Sequence, residues 1–190
     1  MVTLPLRHPE VLLSVLALWS PVDLVLGVVG PLGATTAAGT ALLVDLDPNG
    51  PRYGGAHSLA ELVQKGPTRN QLEPAQSGPA VLRNGGVSPD DAKEVIAALV
   101  SKWPNVVLRC APESDPIGSA VALLPLLPAP FTPQVEGSVV YQRTSLATRQ
   151  PDGKFALPIP RSSTVKALLA GQRPWRRDRW IRSFNRVWGM

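Results

Sequence analysis

The residues best suited to chemistry fall in three short groups. Gly30-Pro31-Leu32-Gly33-Ala34-Thr35-Thr36 has the make-up of a phosphate cradle. In such a turn glycines let backbone N–H groups approach an anion, a lysine neutralises it, and a Ser/Thr hydroxyl holds magnesium. Gly30, Gly33, Thr35 and Thr36 supply the glycines and hydroxyls, but Ala34 stands where the lysine belongs. The second group is Asp45-Leu46-Asp47-Pro48-Asn49-Gly50, an acid-bearing turn. Asp45 and Asp47 are not read as a carboxylate pair for acid–base work, and Asp47 serves equally well as a turn-capping residue. The third group is Arg109-Cys110. An adjacent arginine can lower a thiol pKa, yet neither His8 nor His57 has a sequence link to Cys110, and a buried inert thiol is the simpler reading. A single cysteine excludes an internal disulfide and a thiolate zinc site, and two distant histidines argue against a histidine metal cluster. No Ser/His/Asp nucleophile motif is present, so no catalytic residue and no metal ligand is assigned.

Order along the chain adds to these groups. The apolar run Leu24–Val29 precedes the glycine turn, Ala41–Leu46 precedes Asp47-Pro48-Asn49-Gly50, and Asn105–Leu108 precedes Arg109-Cys110-Ala111-Pro112. This order resembles the ParA/MinD family of deviant Walker-A, P-loop NTPases, over about residues 24–130. In that family a strand ends in a KGGxGKT loop, a second in a DxDPQG-like motif, and a later one in hhhhDTPP. Val44–Gly50 is the most specific match. The resemblance implies a doubly wound α/β sandwich, with Gly30, Gly33, Thr35, Thr36, Asp45, Asp47 and Arg109 around a nucleotide. The departures fall on the charged groups. Val29 and Ala34 replace the two family lysines, Arg109 replaces the magnesium-binding aspartate, and only Ala37–Thr40 separate the glycine turn from the second strand. Phosphoryl transfer depends on positioning and charge neutralisation. The expectation is therefore a degenerate, non-hydrolysing relative: a scaffold or positioning protein without a cofactor. The alternative is a divergent NTPase of the same family that binds ATP with Mg²⁺ and uses Arg109 against a phosphate.

The last twenty residues carry six arginines against Asp178, which accounts for the whole net charge of +5. Trp180, Ile181, Phe184, Val187 and Trp188 recur at the spacing of one helical face, and Arg179, Arg182 and Arg186 lie beside or opposite it. With Trp175, Arg176 and Arg177 they make a basic amphipathic helix over 173–190. Three readings stand open. The apolar face packs on the parent domain, docks on a protein partner, or meets an anionic membrane surface, where tryptophan and basic residues are favoured. The MinD branch of the resembled family also ends in such a helix. A protein partner, a homodimer included, is expected. Nucleic acid is not, because no nucleic-acid motif is present.

These groups must be held by a framework. At 190 residues with 44% apolar residues the chain suits one domain with a real core, assigned to residues 1–172. Val11–Trp19 is too short to cross a bilayer, which takes ~20 residues. It reads as the end of a buried first helix beginning near Pro9, and the location expected is cytoplasmic, peripheral to the membrane if the tail binds there. Leu24–Val29, Ala41–Leu46, Ala80–Arg83 and Asn105–Leu108 read as buried strands, and Ser138–Arg143 and Phe155–Ile159 as further strands. Ser58-Leu-Ala-Glu61 is a capping box, and Ser88-Pro89 opens a helix running to about Lys102. Ile117–Leu124 and Ser163–Ala170 read as helices. Strands alternating with helices predict a parallel sheet covered on both faces, with function beyond the strand ends at Val29, Leu46 and Leu108.

Overall fold

The computed structural model describes residues 14–74, 78–112, 120–128, 130–146, 153–175 and 177–190. The chain runs β1 (Ser14–Trp19), α1 (Leu24–Ala38), β2 (Ala41–Asp45), α2 (Leu59–Lys65), α3 (Arg69–Leu72) and β3 (Pro79–Leu82). It continues through α4 (Lys93–Lys102), β4 (Asn105–Arg109), β5 (Val121–Leu126), β6 (Val139–Arg143), β7 (Ala156–Leu157), α5 (Ser162–Leu169) and α6 (Arg179–Val187). The seven strands form one sheet in the order β3-β2-β4-β1-β5-β6-β7. Every neighbouring pair is parallel, so the expected α/β class holds.

Side-chain alternation divides the core. Leu16, Leu18, Leu43, Val107 and Leu123 face α1, α5 and α6. Ala17, Leu42, Val44, Val106 and Leu108 face α2 and α4. Strands buried on both faces read as unbroken apolar runs, which is why β2 and β4 stand where expected.

Two helices start later than expected, α4 at Lys93 rather than just after Ser88 and α6 at Arg179 rather than at 173, so that Trp175 and Arg177 precede it, and three elements differ in kind or place. Ser14–Trp19 is the strand β1, between β4 and β5, rather than the end of a helix; the rest of that expected helix lies outside the described residues. Leu24–Val29 and the glycine turn together form α1. Val121–Leu126 is the strand β5, while residues 117–119 of the expected helix are outside the described set. The common cause is that a short apolar run has no period that separates a buried strand from a buried helix. For α1 a side chain outside the run decides: Asp23 accepts from the Leu26 N–H at 2.9 Å and caps the helix. Pro125 is tolerated in β5 because β1 pairs only as far as Ala122, so the proline lies beyond that ladder.

The glycines of α1 serve packing. A Cβ on Gly30 would strike the Leu123 side chain, and one on Gly33 would lie 2.6 Å from the Trp180 ring and 2.7 Å from that of Phe184. Bare backbone there lets β5 and α6 approach closely. Asp178 starts α6 by accepting from the N–H groups of Trp180 at 2.8 Å and Ile181 at 3.2 Å. Its other oxygen accepts from the Thr164 hydroxyl at 2.7 Å, tying α6 to α5. Trp180, Ile181, Phe184 and Val187 are buried with α1 in one cluster. Trp180 and Phe184 meet edge to face at 4.8 Å.

Candidate functional site

The carboxyl ends of β2 and β4 lie side by side, with Asp45 paired to Arg109 in register. Both side chains fall on the α1 face, following Leu43 and Val107 two residues earlier. The Arg109 guanidinium donates from Nη1 to Asp45 Oδ1 at 3.0 Å and from Nη2 to Asp47 Oδ2 at 2.8 Å. Nη1 also donates to the Pro51 carbonyl at 2.9 Å. Asp45, Asp47 and Arg109 are all buried, Arg109 at 2% exposure. The two aspartates, not read as an acid–base pair in the sequence, grip one cation.

The turn after β2 is built around this triad. Asp47 Oδ1 accepts from the N–H groups of Asn49 at 3.1 Å and Gly50 at 2.8 Å, so Asp47 caps the turn and binds the cation at once. A Cβ on Gly50 would collide with the Asp47 carboxylate and with Arg109 Nη2. Asp45 Oδ1 takes the Asp47 N–H at 3.2 Å. From the segment after β3, Asn84 Nδ2 donates to the Asp45 carbonyl at 3.2 Å and to the Val87 carbonyl at 3.0 Å. The Tyr53 ring lies 5.3 Å from the guanidinium carbon, and its hydroxyl donates to the Val28 carbonyl of α1 at 2.9 Å. Tyr53, Asn84 and Gly50 were not among the expected site residues. Asp47-Pro48-Asn49-Gly50 signals the turn, but nothing near Tyr53 or Asn84 announces a partner so distant in the chain.

Burial dominates the electrostatics. It raises the Asp45 carboxyl from 3.8 to about 6, and the Arg109 charge offsets it only in part. Burial also pushes the Tyr53 phenol far upward, keeping it protonated as a donor. Two carboxylates and one guanidinium leave one negative charge when Asp45 is ionised.

The expected glycine turn is corrected: Gly30, Gly33, Thr35 and Thr36 lie within α1 and not in a loop. The Thr35 hydroxyl donates to the Pro31 carbonyl at 2.7 Å and that of Thr36 to the Leu32 carbonyl at 2.8 Å. Such bonds to the preceding turn occupy the hydroxyls inside the helix. The loop that does join β1 to α1 is Ser20-Pro21-Val22-Asp23, with neither glycine nor lysine. Ser20 donates to the Leu123 carbonyl at 2.8 Å, and Asp23 occupies the helix start where an anion would bind. Cys110 is buried in the second core cluster.

At the tail, Trp180, Ile181, Phe184 and Val187 belong to the core, so these four side chains are covered by the domain itself. Trp188 is half-buried and donates to the Ala34 carbonyl at 3.0 Å. Trp175, Arg177, Arg179, Arg182 and Arg186 are exposed; Arg176 is outside the described residues. Among the described residues no group of three or more His, Cys, Asp or Glu could hold a metal ion. No described helix is long and apolar enough to cross a membrane.

No family model matches the chain, and no curated protein or solved structure matches it.

Proposed function

We propose that the chain is a non-hydrolysing scaffold or positioning protein of the ParA/MinD kind, with a reduced P-loop NTPase-like domain that acts through protein–protein contacts. The observation that carries this reading is the seat of Arg109 between Asp45 and Asp47. Magnesium-assisted phosphoryl transfer needs an acid for the metal and a cation for the phosphates. Here the signs are exchanged: Arg109 stands in the acid's place, and Asp23 closes the helix start that would face a phosphate. Both charges are spent on bonds within the chain. Tyr53 spans from Arg109 to α1, so the crevice beyond β2 and β4, where ligands sit in open α/β sheets, is filled by the protein's own side chains.

Contact with a partner is supported by the rim of that crevice. Val22, Leu24 and Val25 are 56%, 58% and 65% exposed, a run of apolar side chains at the β1–α1 junction. Such exposure suits a protein surface, of a second copy or of another protein. The outward arginines of α6 with Trp175 remain available for an acidic partner or an anionic membrane surface.

Calorimetry of the full chain with ATP and GTP, with and without Mg²⁺, tests the reading. No binding at millimolar nucleotide is expected. Saturable, Mg²⁺-dependent binding at micromolar nucleotide that is lost in Asp45→Asn would replace it with a nucleotide-binding NTPase.

A further inference from the structure

A cavity lies toward the β6–β7 edge of the sheet, away from the Arg109 triad. It measures about 450 Å³ and is lined by Arg143, Arg161, Arg179, Asp178, Ile159 and Trp180, among others. The three arginines come from three separate places. Arg143 ends β6, Arg161 precedes α5 as its N-cap, and Arg179 is the first residue of α6. The fold therefore gathers them where the sequence keeps them far apart. Among the described residues Arg161 and Arg179 enter no ion pair. Among the described residues of the lining the one acid is Asp178, whose oxygens are both committed, to two N–H groups of α6 and to Thr164. It is itself buried, while the arginines are exposed. With Arg161 and Arg179 the cavity presents excess positive charge, and Ile159 and Trp180 are also in its lining. A volume in this range suits a small ligand.

We infer that this cavity binds a phosphoryl-bearing anion, held by Arg161 and Arg179 with Arg143 at its edge. Guanidinium groups match phosphate oxygens through paired N–H donors, which a single ammonium does not reproduce. Trp180 of the lining is fixed by its Nε1, which donates to Gln142 Oε1 at 2.7 Å. The start of α5 has no side-chain cap, whereas that of α6 is closed by Asp178. This site shares no residue with the triad and does not rest on the scaffold reading.

The test is titration of the full chain with inorganic pyrophosphate by calorimetry at about 0.15 M ionic strength, where the Debye length is about 8 Å. Saturable binding is expected, weakened at least ~tenfold in Arg161→Gln/Arg179→Gln, since bonds to charged groups are the stronger kind. Both positions are exposed, and an unchanged thermal unfolding midpoint will show that the variant folds. Arg52→Gln/Lys65→Gln removes the same charge from exposed positions outside the lining and should leave affinity within about twofold, as screened surface charges far from a site do. Equal losses in the two variants would overturn the proposal, as would no saturable binding. Vesicles of phosphatidylcholine with phosphatidic acid separate the sources. Vesicle binding that is competed by pyrophosphate and lost in Arg161→Gln/Arg179→Gln assigns a lipid headgroup. Pyrophosphate binding without vesicle binding assigns a soluble phosphorylated compound.

Discussion

Asp45→Asn decides which force governs the buried triad. Burial raises the Asp45 carboxyl from 3.8 to about 6 against the pull of Arg109. Between those values the folded chain keeps a proton that the unfolded chain has released. The stabilisation from this group is therefore fully present below about pH 3.8 and is lost as pH rises through about 6. A gap of about two units corresponds to about 3 kcal/mol. Asparagine keeps the shape and cannot ionise, so the variant escapes that loss. Relative to the parent, its stability should rise by about 3 kcal/mol between about pH 4 and about pH 7. Urea unfolding followed by tryptophan fluorescence reads this directly, because Trp180 is buried. With a slope of about 2 kcal/mol per M, the difference in midpoints should change by about 1.5 M across that range. Parallel pH curves for the two proteins would refute the argument from burial. A difference of the opposite sign would mean that Arg109 holds the carboxyl below its ordinary value and that the ion pair outweighs desolvation.

Other perturbations probe the remaining parts. Arg109→Met strands two buried carboxylates and should cost about 3–5 kcal/mol in urea unfolding at neutral pH, and less near pH 4, where Asp45 carries a proton. Gly33→Ala drives a methyl into the Trp180 and Phe184 rings and should cost about 1–3 kcal/mol; a change within error would mean that α1 and α6 are not packed as described. Asp178→Ala removes the α6 cap together with the bond from Thr164, and a loss of about 1–2 kcal/mol is expected in thermal or urea melts. Trp180→Ala should cost about 3–5 kcal/mol, the scale for a large buried aromatic; a loss under about 1 kcal/mol, the scale of surface changes, would contradict its place in the core.

The sequence marks this fold where local chemistry agrees with tertiary structure. β2 and β4 are legible because parallel strands covered on both faces need unbroken apolar runs. The turn after Asp45 is legible because proline, asparagine and glycine each have a fixed use in turns. Arg109 is visible as a charge where the resembled family has an acid. Its partners are half legible, since Asp45 and Asp47 stand out but their convergence on one guanidinium depends on strand register. The region before residue 40 misleads for a physical reason. Gly30 and Gly33 look like loop glycines, yet their use is close contact with Leu123, Trp180 and Phe184, residues more than ninety positions away. Thr35 and Thr36 look like metal ligands, yet a hydroxyl inside a helix can bond its own preceding turn. For α6 the spacing marks the residues that are buried, but not what covers them, because α1 lies about 150 positions earlier in the chain and only the fold brings the two together.

That late contact sets a timetable for synthesis. Trp188 bonds Ala34 across 154 positions, and the hollow over Gly33 is filled by rings almost as far along the chain. At ~5–20 residues per second, a ribosome leaves that hollow open for about 8–30 s. Throughout this interval α1 offers its apolar side to whatever is nearby, so the nascent chain is a natural client for a holding chaperone. The last helix acts as a latch that ends this dependence, and a product cut short before Trp180 would remain a target for proteolysis.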